Sequence, residues 1–309
     1  MILCAGEALI DMIPKPTTQG PDGFVPHNGG AVFNTAIALG RLGQPTAMLT
    51  GLSTDLFGTQ LEAGLAESHV DTALCIRSPR PTTMAFVKLT DGHASYVFYD
   101  ENSAGRMLTE ADLPPLPDTV RALYFGGISL ACEPGAEAYA ALLARDHADR
   151  AVMIDPNIRP GFIRDEARYR ARLGAMIARA DIVKVSDEDL HWLIPEGSDL
   201  AQKAHALQAQ GPSIVIVTRG AAGATAWFTE GQEVSVPAQR AEVVDTVGAG
   251  DCFNAGVLSR LAELGLLDKA SLRAITPEAL GEALGFGAKV AAIVVGRAGA
   301  NPPWAAEIS

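Results

Sequence analysis

The chain is poor in positive charge and lacks long apolar runs. Its 309 residues contain 24 Lys and Arg against 36 Asp and Glu, a formal net charge of −12. No stretch gathers enough Lys or Arg for a basic stripe, so nucleic acid and anionic membranes are not expected partners. No apolar run reaches the roughly 18 residues of a membrane-spanning helix.

Cysteine is scarce, and histidine is not clustered. Glu7 and Asp11 interrupt any signal-peptide core, and the six histidines show no metal-ligand spacing. We therefore expect a cytoplasmic protein whose cysteines are reduced thiols, without a disulfide frame or a zinc site. The four cysteines are Cys4, Cys75, Cys132 and Cys252.

Two common nucleotide-binding loops are also absent. No Gly-x-x-x-x-Gly-Lys-[Ser/Thr] sequence is present, which excludes P-loop chemistry. Gly248 and Gly250 lack the third glycine of a dinucleotide-binding fingerprint and lie too late in the chain. A nucleotide, if bound, must be held in another way.

Short β-branched runs alternate with Ala/Leu-rich stretches along the chain. The expected strands are 122–125, 151–154, 182–185, 214–217 and 224–228, and the expected helices between them are 135–147, 166–180, 187–193 and 199–210. This repetition is typical of a mostly parallel sheet covered by helices on both faces, a three-layer α/β/α fold. Ligands bind such sheets beyond the carboxyl ends of the strands.

Two segments break the alternation. Residues 11–28 are rich in proline and glycine, and residues 72–105 contain two strand-like runs, 83–89 and 94–99, around a Thr90-Asp91-Gly92 turn. Asp-Gly between such runs is a hairpin signal. We interpret both segments as one small β-sheet lid on a domain that spans residues 1–309; the alternative is that they form edge strands of the main sheet.

Residues 245–251 (DTVGAGD) precede a long helical run. The glycines allow successive N–H groups to point at one spot at a helix N-terminus, where negative charge is favoured. Asp251 would repel an anion there, unless it removes a proton from a hydroxyl that attacks a phosphoryl group held by those amides. The alternative is an acid that only stabilises the first turn of a helix.

Near the N-terminus, residues 29–36 (GGAVFNTA) open another expected helix. Gly29 and Gly30 allow a ligand to approach the backbone, and Asn34 offers an amide that suits neighbouring sugar hydroxyls. Asp11 could accept hydrogen bonds from two such hydroxyls. The alternatives are a packing amide for Asn34 and a solvated loop carboxylate for Asp11.

Three polar segments follow expected strands. Residues 155–160 (DPNIRP) include Arg159, which could meet a phosphate or a sugar oxygen; residues 186–189 (SDED) could hold Mg²⁺ through water or simply cap a helix. Residues 218–223 (TRGAAG) are similar to a turn over nucleotide phosphates, although such hairpins are common.

Together, the segments 29–34 (GGAVFN) and 245–251 (DTVGAGD) resemble the N- and C-terminal signatures of the ribokinase-like (PfkB-type) carbohydrate kinases. The resemblance spans the chain. It implies an α/β sandwich with a β lid over the sugar, transfer of the γ-phosphoryl group of ATP to a sugar hydroxyl, and frequently a homodimer joined lid to lid.

The resemblance also implies roles for individual residues. Asp251 would be the catalytic base, with the amides of Gly248, Ala249 and Gly250 as the anion hole. The sugar would contact Asp11, Gly29, Gly30, Asn34 and Arg159, with Tyr99 and Arg106 of the lid. The nucleotide would lie along Ser186, Thr218, Gly220, Gly223, Gly248, Gly250 and Ala288.

The resemblance implies Mg²⁺ and a monovalent cation such as K⁺. The Asn-x-x-Glu metal motif of the family is replaced here by Ser186 and Asp189, so a shorter acid must reach Mg²⁺ through water. The monovalent cation would lie on a loop that includes Asp245 and Val247.

Within the family, residues 155–160 and 186–190 are most similar to bacterial fructokinases, which implies fructose as the acceptor, phosphorylated at a primary hydroxyl. Asp100 and Glu101 place negative charge near the lid, which suits a neutral sugar. Arg106 and Arg159 keep the acid sugar 2-keto-3-deoxygluconate as an alternative. A nucleoside kinase shares all these motifs, and a non-catalytic sugar or nucleotide sensor is a remote alternative that leaves Asp251 without a purpose.

Overall fold

The computed structural model describes residues 1–90 and 93–308 of the chain. Asp91 and Gly92, the centre of the predicted hairpin turn, lie outside the described residues. The strands are β1 (Ile2–Ala5), β2 (Leu9–Thr17), β3 (Gly20–Gly29), β4 (Thr46–Leu49), β5 (Gly51–Ser53), β6 (Val70–Asp71), β7 (Ile76–Ser78), β8 (Met84–Thr90), β9 (His93–Tyr99), β10 (Ala122–Gly126), β11 (Ala151–Asp155), β12 (Ile182–Ser186), β13 (Ile214–Thr218), β14 (Ala224–Phe228) and β15 (Gln232–Val236).

The helices occupy the segments between these strands and the C-terminal part of the chain. They are α1 (Ala31–Arg41), α2 (Leu56–Glu67), α3 (Gly135–Asp146), α4 (Glu166–Ile177), α5 (Asp187–Leu193), α6 (Leu200–Gln208), α7 (Ala249–Glu263), α8 (Lys269–Arg273) and α9 (Pro277–Val295). Aspartate side chains cap the N-termini of several helices. Asp55, Asp165 and Asp199 each accept a hydrogen bond from a backbone N–H in the first turn of α2, α4 and α6, respectively.

The main sheet has nine strands in the order β15-β14-β13-β12-β11-β10-β1-β4-β6. Its strands are parallel except at one edge, where β14 is antiparallel to both β13 and β15. Side chains alternate between two cores: Ile2 and Cys4 of β1 lie in one, whereas Leu3 and Ala5 lie in the other. Helices α1, α7 and α9 cover the first core, and α3, α4 and α6 cover the second. The predicted three-layer fold is confirmed.

A separate four-stranded sheet, in the order β3-β2-β8-β9, forms the lid. Its extent differs from the predicted boundaries in the second segment. Within residues 72–105, Ile76–Ser78 (β7) pairs with β5 in a two-stranded sheet, so the four-stranded sheet resumes only at Met84. Short strands that pair locally were indistinguishable from lid strands in the sequence.

The carboxyl ends of β1, β10, β11, β12 and β13 meet at one edge of the main sheet, below the lid. This edge therefore collects the polar residues that follow each strand. Over the described residues, no helix is long and apolar enough to cross a membrane. All four cysteines are free.

Candidate active site

Asp251 lies in the first turn of α7 and is almost fully buried, with 7% of its surface exposed. Gly248, just before the helix, has φ +78°, which favours glycine, and a Cβ there would approach the Cβ of Ala300 to 2.6 Å. The turn thus presents the amides of the helix N-terminus and the carboxylate of Asp251 side by side, as the sequence predicts.

The two glycine-rich segments meet at this carboxylate. Nδ2 of Asn34 donates to Oδ2 of Asp251 at 2.9 Å, and the Thr35 hydroxyl donates to the Asp251 carbonyl at 3.2 Å. Burial raises the pKa of Asp251 to about 7, although the hydrogen bond from Asn34 opposes this rise. A carboxyl with a pKa near 7 is suited to accept a proton from a hydroxyl.

Glu7 positions the start of α1 and is a site residue that sequence reasoning missed. Its carboxylate accepts hydrogen bonds from the N–H of Ala31 at 3.1 Å and of Ser129 at 3.2 Å. Gly30 has φ +105°, and a Cβ there would lie 2.9 Å from the Glu7 carbonyl oxygen. Glu7 is 8% exposed. Its position directly after an apolar strand was the available signal, since an acid there lies at the ligand-binding edge of the sheet.

Asp11 lies on β2 of the lid and is half-buried. A Cβ on Gly29 would overlap its carboxylate, so the glycine leaves room for this side chain. Burial raises the pKa of Asp11 to about 6. In register, Asp11 shares a face of the lid with Ala85 and Phe98. We call this the inner face of the lid, because the Phe98 ring contacts Phe162 of the main domain, with 4.5 Å between centroids.

Tyr99 does not lie with these residues. Successive residues of a strand point to opposite faces, so Tyr99 is on the outer face, opposite Asp11 and Phe98. There it is 60% exposed and packs edge-on against Phe86, with 5.4 Å between centroids. The structure therefore does not support the predicted contact between Tyr99 and the sugar.

Arg106 is held in an ion pair. Its Nη1 lies 2.8 Å from both carboxylate oxygens of Asp100, and its Nε donates to the carbonyl oxygen of Glu133 at 3.0 Å. Both side chains of the pair are only 11% exposed. The predicted negative charge of Asp100 and the predicted positive charge of Arg106 thus compensate each other. The sequence motif could not reveal this pairing.

Arg159 lies at the carboxyl-end edge of the sheet, after β11. It is exposed, and its Nη1 donates to the carbonyl oxygen of Ile158 at 3.0 Å. The short helix that carries Phe162 begins at the next residue. Arg159 is thus exposed, whereas Asn34 and Asp251 are buried.

A cavity of about 510 Å³ opens beside the N-terminus of α7. It brings together six of the predicted nucleotide and anion-hole residues: Thr218, Gly220, Gly223, Ala249, Gly250 and Ala288. Gly223 has φ +85°, and a Cβ there would overlap the carbonyl oxygen of Val236. Apolar residues of α9, including Ala291, Ala292 and Val295, form one wall of the cavity. Such a wall suits the flat face of a nucleobase.

Ser186 is not part of this lining. Its hydroxyl accepts a hydrogen bond from the N–H of Asp189 at 3.0 Å and thereby caps α5. The capping role that the sequence left open is observed, and the nucleotide contact of Ser186 stays a prediction.

The candidate metal residues are also engaged in the fold. Oδ1 of Asp189 accepts the N–H of Ile158 at 3.1 Å, and burial, followed by the nearby charge of Asp155, raises the pKa of Asp189. Asp245 bridges two loops, since its oxygens accept the N–H of Val247 at 3.0 Å and of Gly299 at 2.9 Å. No cluster of three or more acidic, His or Cys side chains with metal-holding geometry occurs in residues 1–90 and 93–308.

A second polar group lies behind the first turn of α7. Lys184 of β12 forms a buried ion pair with Asp155, with 3.0 Å between Nζ and Oδ2. Nδ2 of Asn254, on α7, donates to the same oxygen at 2.7 Å and to the Tyr124 hydroxyl at 3.0 Å. Sequence reasoning missed Lys184 and Asn254. The signal for Lys184 was a single charge within the apolar run Ile182–Val185.

Comparison with known proteins finds a matching family and similar sequences. The sequence model described as pfkB family carbohydrate kinase matches residues 1–307. A fructokinase from Rhizobium leguminosarum bv. trifolii is 53% identical over 280 residues, which cover 91% of this chain and 85% of that protein.

Two solved structures are similar over nearly the whole chain. Fructokinase with bound ATP from Xylella fastidiosa has a TM-score of 0.87 at 32% identity, covering 97% of this chain and 93% of its own. Fructokinase from Vibrio cholerae O395, in a form with bound fructose, ADP and calcium ion, has a TM-score of 0.82 at 26% identity. The match covers 97% of this chain and 94% of that chain.

Proposed function

The chain belongs to the pfkB family of carbohydrate kinases, and on that premise we propose that it is an ATP-dependent fructokinase acting on a primary hydroxyl of the sugar. One observation carries the chemistry: the buried Asp251 carboxylate lies between the Asn34 amide, on the sugar side, and the helix N-terminus that borders the 510 Å³ cavity. A base, an acceptor site and an anion site thus share one corner of the cleft.

In the proposed reaction, the sugar hydroxyl gives its proton to Asp251 while its oxygen forms a bond to the γ-phosphorus of ATP. The bond from that phosphorus to the β–γ bridging oxygen breaks, and ADP leaves. The amides of Gly248, Ala249 and Gly250 stabilise negative charge on the transferring group. Asn34 keeps the Asp251 carboxylate oriented.

Asp11, Gly29 and Gly30 are proposed to hold the sugar. Asp11 offers two acceptor oxygens to neighbouring hydroxyls, and the two glycines allow the sugar to approach the backbone. Contact of Phe98 with Phe162 closes the lid at one side of the cleft. Closure excludes water, which otherwise could take the phosphoryl group.

The cavity residues Thr218, Gly220, Gly223 and Ala288 are proposed to bind ATP. Mg²⁺ prefers oxygen ligands and keeps several waters, so Asp189 would hold it through water, together with phosphate oxygens of ATP. Mg²⁺ supplies charge neutralisation on the phosphates. For a monovalent cation such as K⁺, we propose the loop that Asp245 ties to Gly299, with backbone carbonyls at Asp245 and Val247 as ligands.

Fructose is favoured over an acid sugar by the pairing of Arg106 with Asp100. A sugar carboxylate needs a cation opposite it, and this guanidinium already serves Asp100 and the Glu133 carbonyl. The 53% identity to a protein named fructokinase supports the same choice.

ADP release by the purified protein with ATP and Mg²⁺ tests the proposal. The panel contains fructose, 2-keto-3-deoxygluconate, ribose, tagatose and adenosine, and phosphorus NMR of the product identifies the phosphorylated hydroxyl. We expect fructose to give by far the highest kcat/KM. A higher value for any other acceptor would overturn the assignment of fructose as the substrate. No turnover on the whole panel would overturn the assignment of kinase activity.

We also propose that the outer face of the lid joins two copies of the chain. This face exposes a set of large apolar side chains, Phe24, Val97 and Tyr99, around the ring of Phe86. Apolar side chains adjacent on one sheet face are costly to leave in water, and a second copy would cover them.

A further inference from the structure

Lys184 is a buried lysine at the centre of the main sheet. It is 5% exposed, and its neighbours on β12, Val183 and Val185, are apolar and fully buried. A lysine buried among apolar groups normally loses its charge unless an anion pairs with it. The carboxylate of Asp155, 3.0 Å from Nζ, is that anion.

The ammonium group of Lys184 lies directly behind the anion hole. A Cβ built on Gly250 would be 3.3 Å from Nζ of Lys184. Gly250 also lines the proposed nucleotide cavity. A larger residue at position 250 would therefore push against Lys184, which gives this glycine a role in addition to freeing the backbone.

The orientation of Lys184 is fixed through α7 itself. Asn254, one turn after Gly250 on this helix, donates to the same oxygen of Asp155 that pairs with Lys184, and also to the Tyr124 hydroxyl. The ion pair is thus fastened both to the sheet and to the helix that carries the base. Its charges cannot move away while α7 stays in place.

Resting on the proposed phosphoryl transfer, we propose that Lys184 is a positioning residue, whose ammonium, fixed by Asp155, adds permanent positive charge behind the first turn of α7. Its charge adds to the helix N-terminus on the side opposite the phosphates. A charge that is already in place when the phosphoryl group moves needs no reorganisation of its surroundings.

The same charge acts on the base. Four groups face Asp251 from the elements around it: Asn34 from α1, Asp155 from β11, Lys184 from β12 and Glu7 from the turn after β1. After burial, which raises the pKa of Asp251 most, Asn34 lowers it, Asp155 raises it, Lys184 lowers it and Glu7 raises it. Lys184 and Asp155 therefore act on Asp251 in opposite directions, although they form one ion pair.

Opposite effects within one ion pair provide the test. The variants are Lys184→Met and Asp155→Asn, and the measurement is kcat/KM for fructose from pH 5.5 to 9. We expect Lys184→Met to lower kcat by about 100-fold, comparable to the loss of one anion-hole donor. The acid limb of the kcat/KM profile should move up by about one pH unit in Lys184→Met. In Asp155→Asn the same limb should move down.

Lys203→Met is the matched control. Lys203 is also a buried lysine, 4% exposed, but its ammonium caps the carbonyls of Ile194, Pro195 and Glu196, at the end of α5 and beyond. Loss of a buried lysine there should lower the melting temperature and leave the pH profile in place. Equal kcat values and unmoved acid limbs in Lys184→Met and Lys203→Met would overturn the proposal.

A second readout separates this inference from the choice of substrate. Carbon-13 NMR of labelled aspartate, with Asp251→Asn to assign the signal, gives the pKa of Asp251 without any sugar or ATP. It should rise in Lys184→Met and fall in Asp155→Asn, whichever acceptor the enzyme uses. If Lys184→Met does not fold, the fall in Asp155→Asn decides the question, and an unchanged pKa there overturns the proposal.

Discussion

The two ends of the cleft are built in different ways. At the phosphoryl end, Asp251 is held by Asn34, and Lys184 is held by Asp155, all of them less than a tenth exposed. These side chains come from helices and central strands that pack on both sides. At this end the charges are fixed before any substrate arrives.

At the sugar end, Asp11 and Phe98 belong to the separate four-stranded sheet. Asp11 is half-buried, and the contacts across the cleft include the edge-on pair of Phe98 and Phe162 and a loose ion pair, 3.8 Å, between Glu101 and Arg164. From this contrast we expect turnover to depend on the buried end and sugar affinity to depend on how well the lid closes.

The most severe test of this contrast is Asp251→Asn. Because the amide cannot accept the hydroxyl proton, we expect kcat to fall by about 100- to 10,000-fold. The KM for ATP should stay within about threefold, since the anion-hole amides remain. Steady-state kinetics with varied ATP and fructose measures both. Asp165→Asn, which keeps the cap of α4, is the control. Near-normal turnover of Asp251→Asn would show that Asp251 is not the catalytic base.

The pH dependence sharpens the comparison further. The pKa of Asp251 is raised to about 7, so the reactive carboxylate is lost as pH falls through that value. We expect kcat/KM to fall about tenfold per pH unit below it. The acid limb should be absent in Asp251→Asn, and a limb that persists there would belong to another group.

The same raised pKa predicts how the stability of the sugar-free protein varies with pH. A carboxyl with a higher pKa in the folded state than the ordinary 3.8 binds more protons folded than unfolded, so its contribution to stability falls as pH rises from about 4 to 7. Asp251→Asn stays neutral. Its melting temperature should exceed that of the wild type at pH 8 and match it near pH 3.5, as scanning calorimetry can measure; a lower melting temperature at pH 8 would contradict this.

At the sugar end, Phe162→Ala should have a moderate effect of a different kind. Loss of an aromatic pair worth about 0.5–1.5 kcal/mol should raise the KM for fructose by about 2- to 10-fold and change kcat little. Trp192→Leu, which removes an edge-on contact with Tyr169 away from the lid, is the control. A drop in kcat with unchanged KM would place Phe162 with the phosphoryl end and break the contrast.

The smallest effect on turnover is expected from the outer face of the lid. Val97→Lys should shift the protein from dimer to monomer in sedimentation velocity and change kcat by less than about twofold, because the residue is on the face opposite Asp11. Val25→Lys, at a similarly exposed valine on the inner face, should keep the dimer. A monomeric wild type at micromolar concentration would exclude the lid-to-lid dimer.

Local patterns in the sequence were sufficient for the main elements of the fold. The alternation of strands and helices predicts the parallel sheet, and glycine pairs before two helices predict that Asn34 and Asp251 bind ligands. Both signals depend on neighbouring residues only. Their meeting at 2.9 Å depends on the packing of α1 against α7, which are more than 200 residues apart in the chain, so neither local pattern could predict it.

Features that depend on distant partners could not be predicted. Arg106 looks like a free cation until Asp100 is found beside it, and Lys184 looks like an irregularity in a strand until Asp155 is found on the next one. Tyr99 could not be placed for a different reason. The face of the sheet on which its side chain lies depends on strand register, and a shift of one residue exchanges the two faces.

The order in which the parts of the site occur along the chain has a consequence for biosynthesis. Asn34 and Asp251 are 217 positions apart, and Gly248 packs against Ala300, near the C-terminus. Since synthesis runs from the N-terminus, the lid strands and the sugar-side amide leave the ribosome long before the base and the anion hole. On the proposed roles, a partly made chain carries the sugar-binding residues before it carries the group that activates a hydroxyl. The strands of the proposed cover are therefore made before α7, which completes the proposed catalytic apparatus.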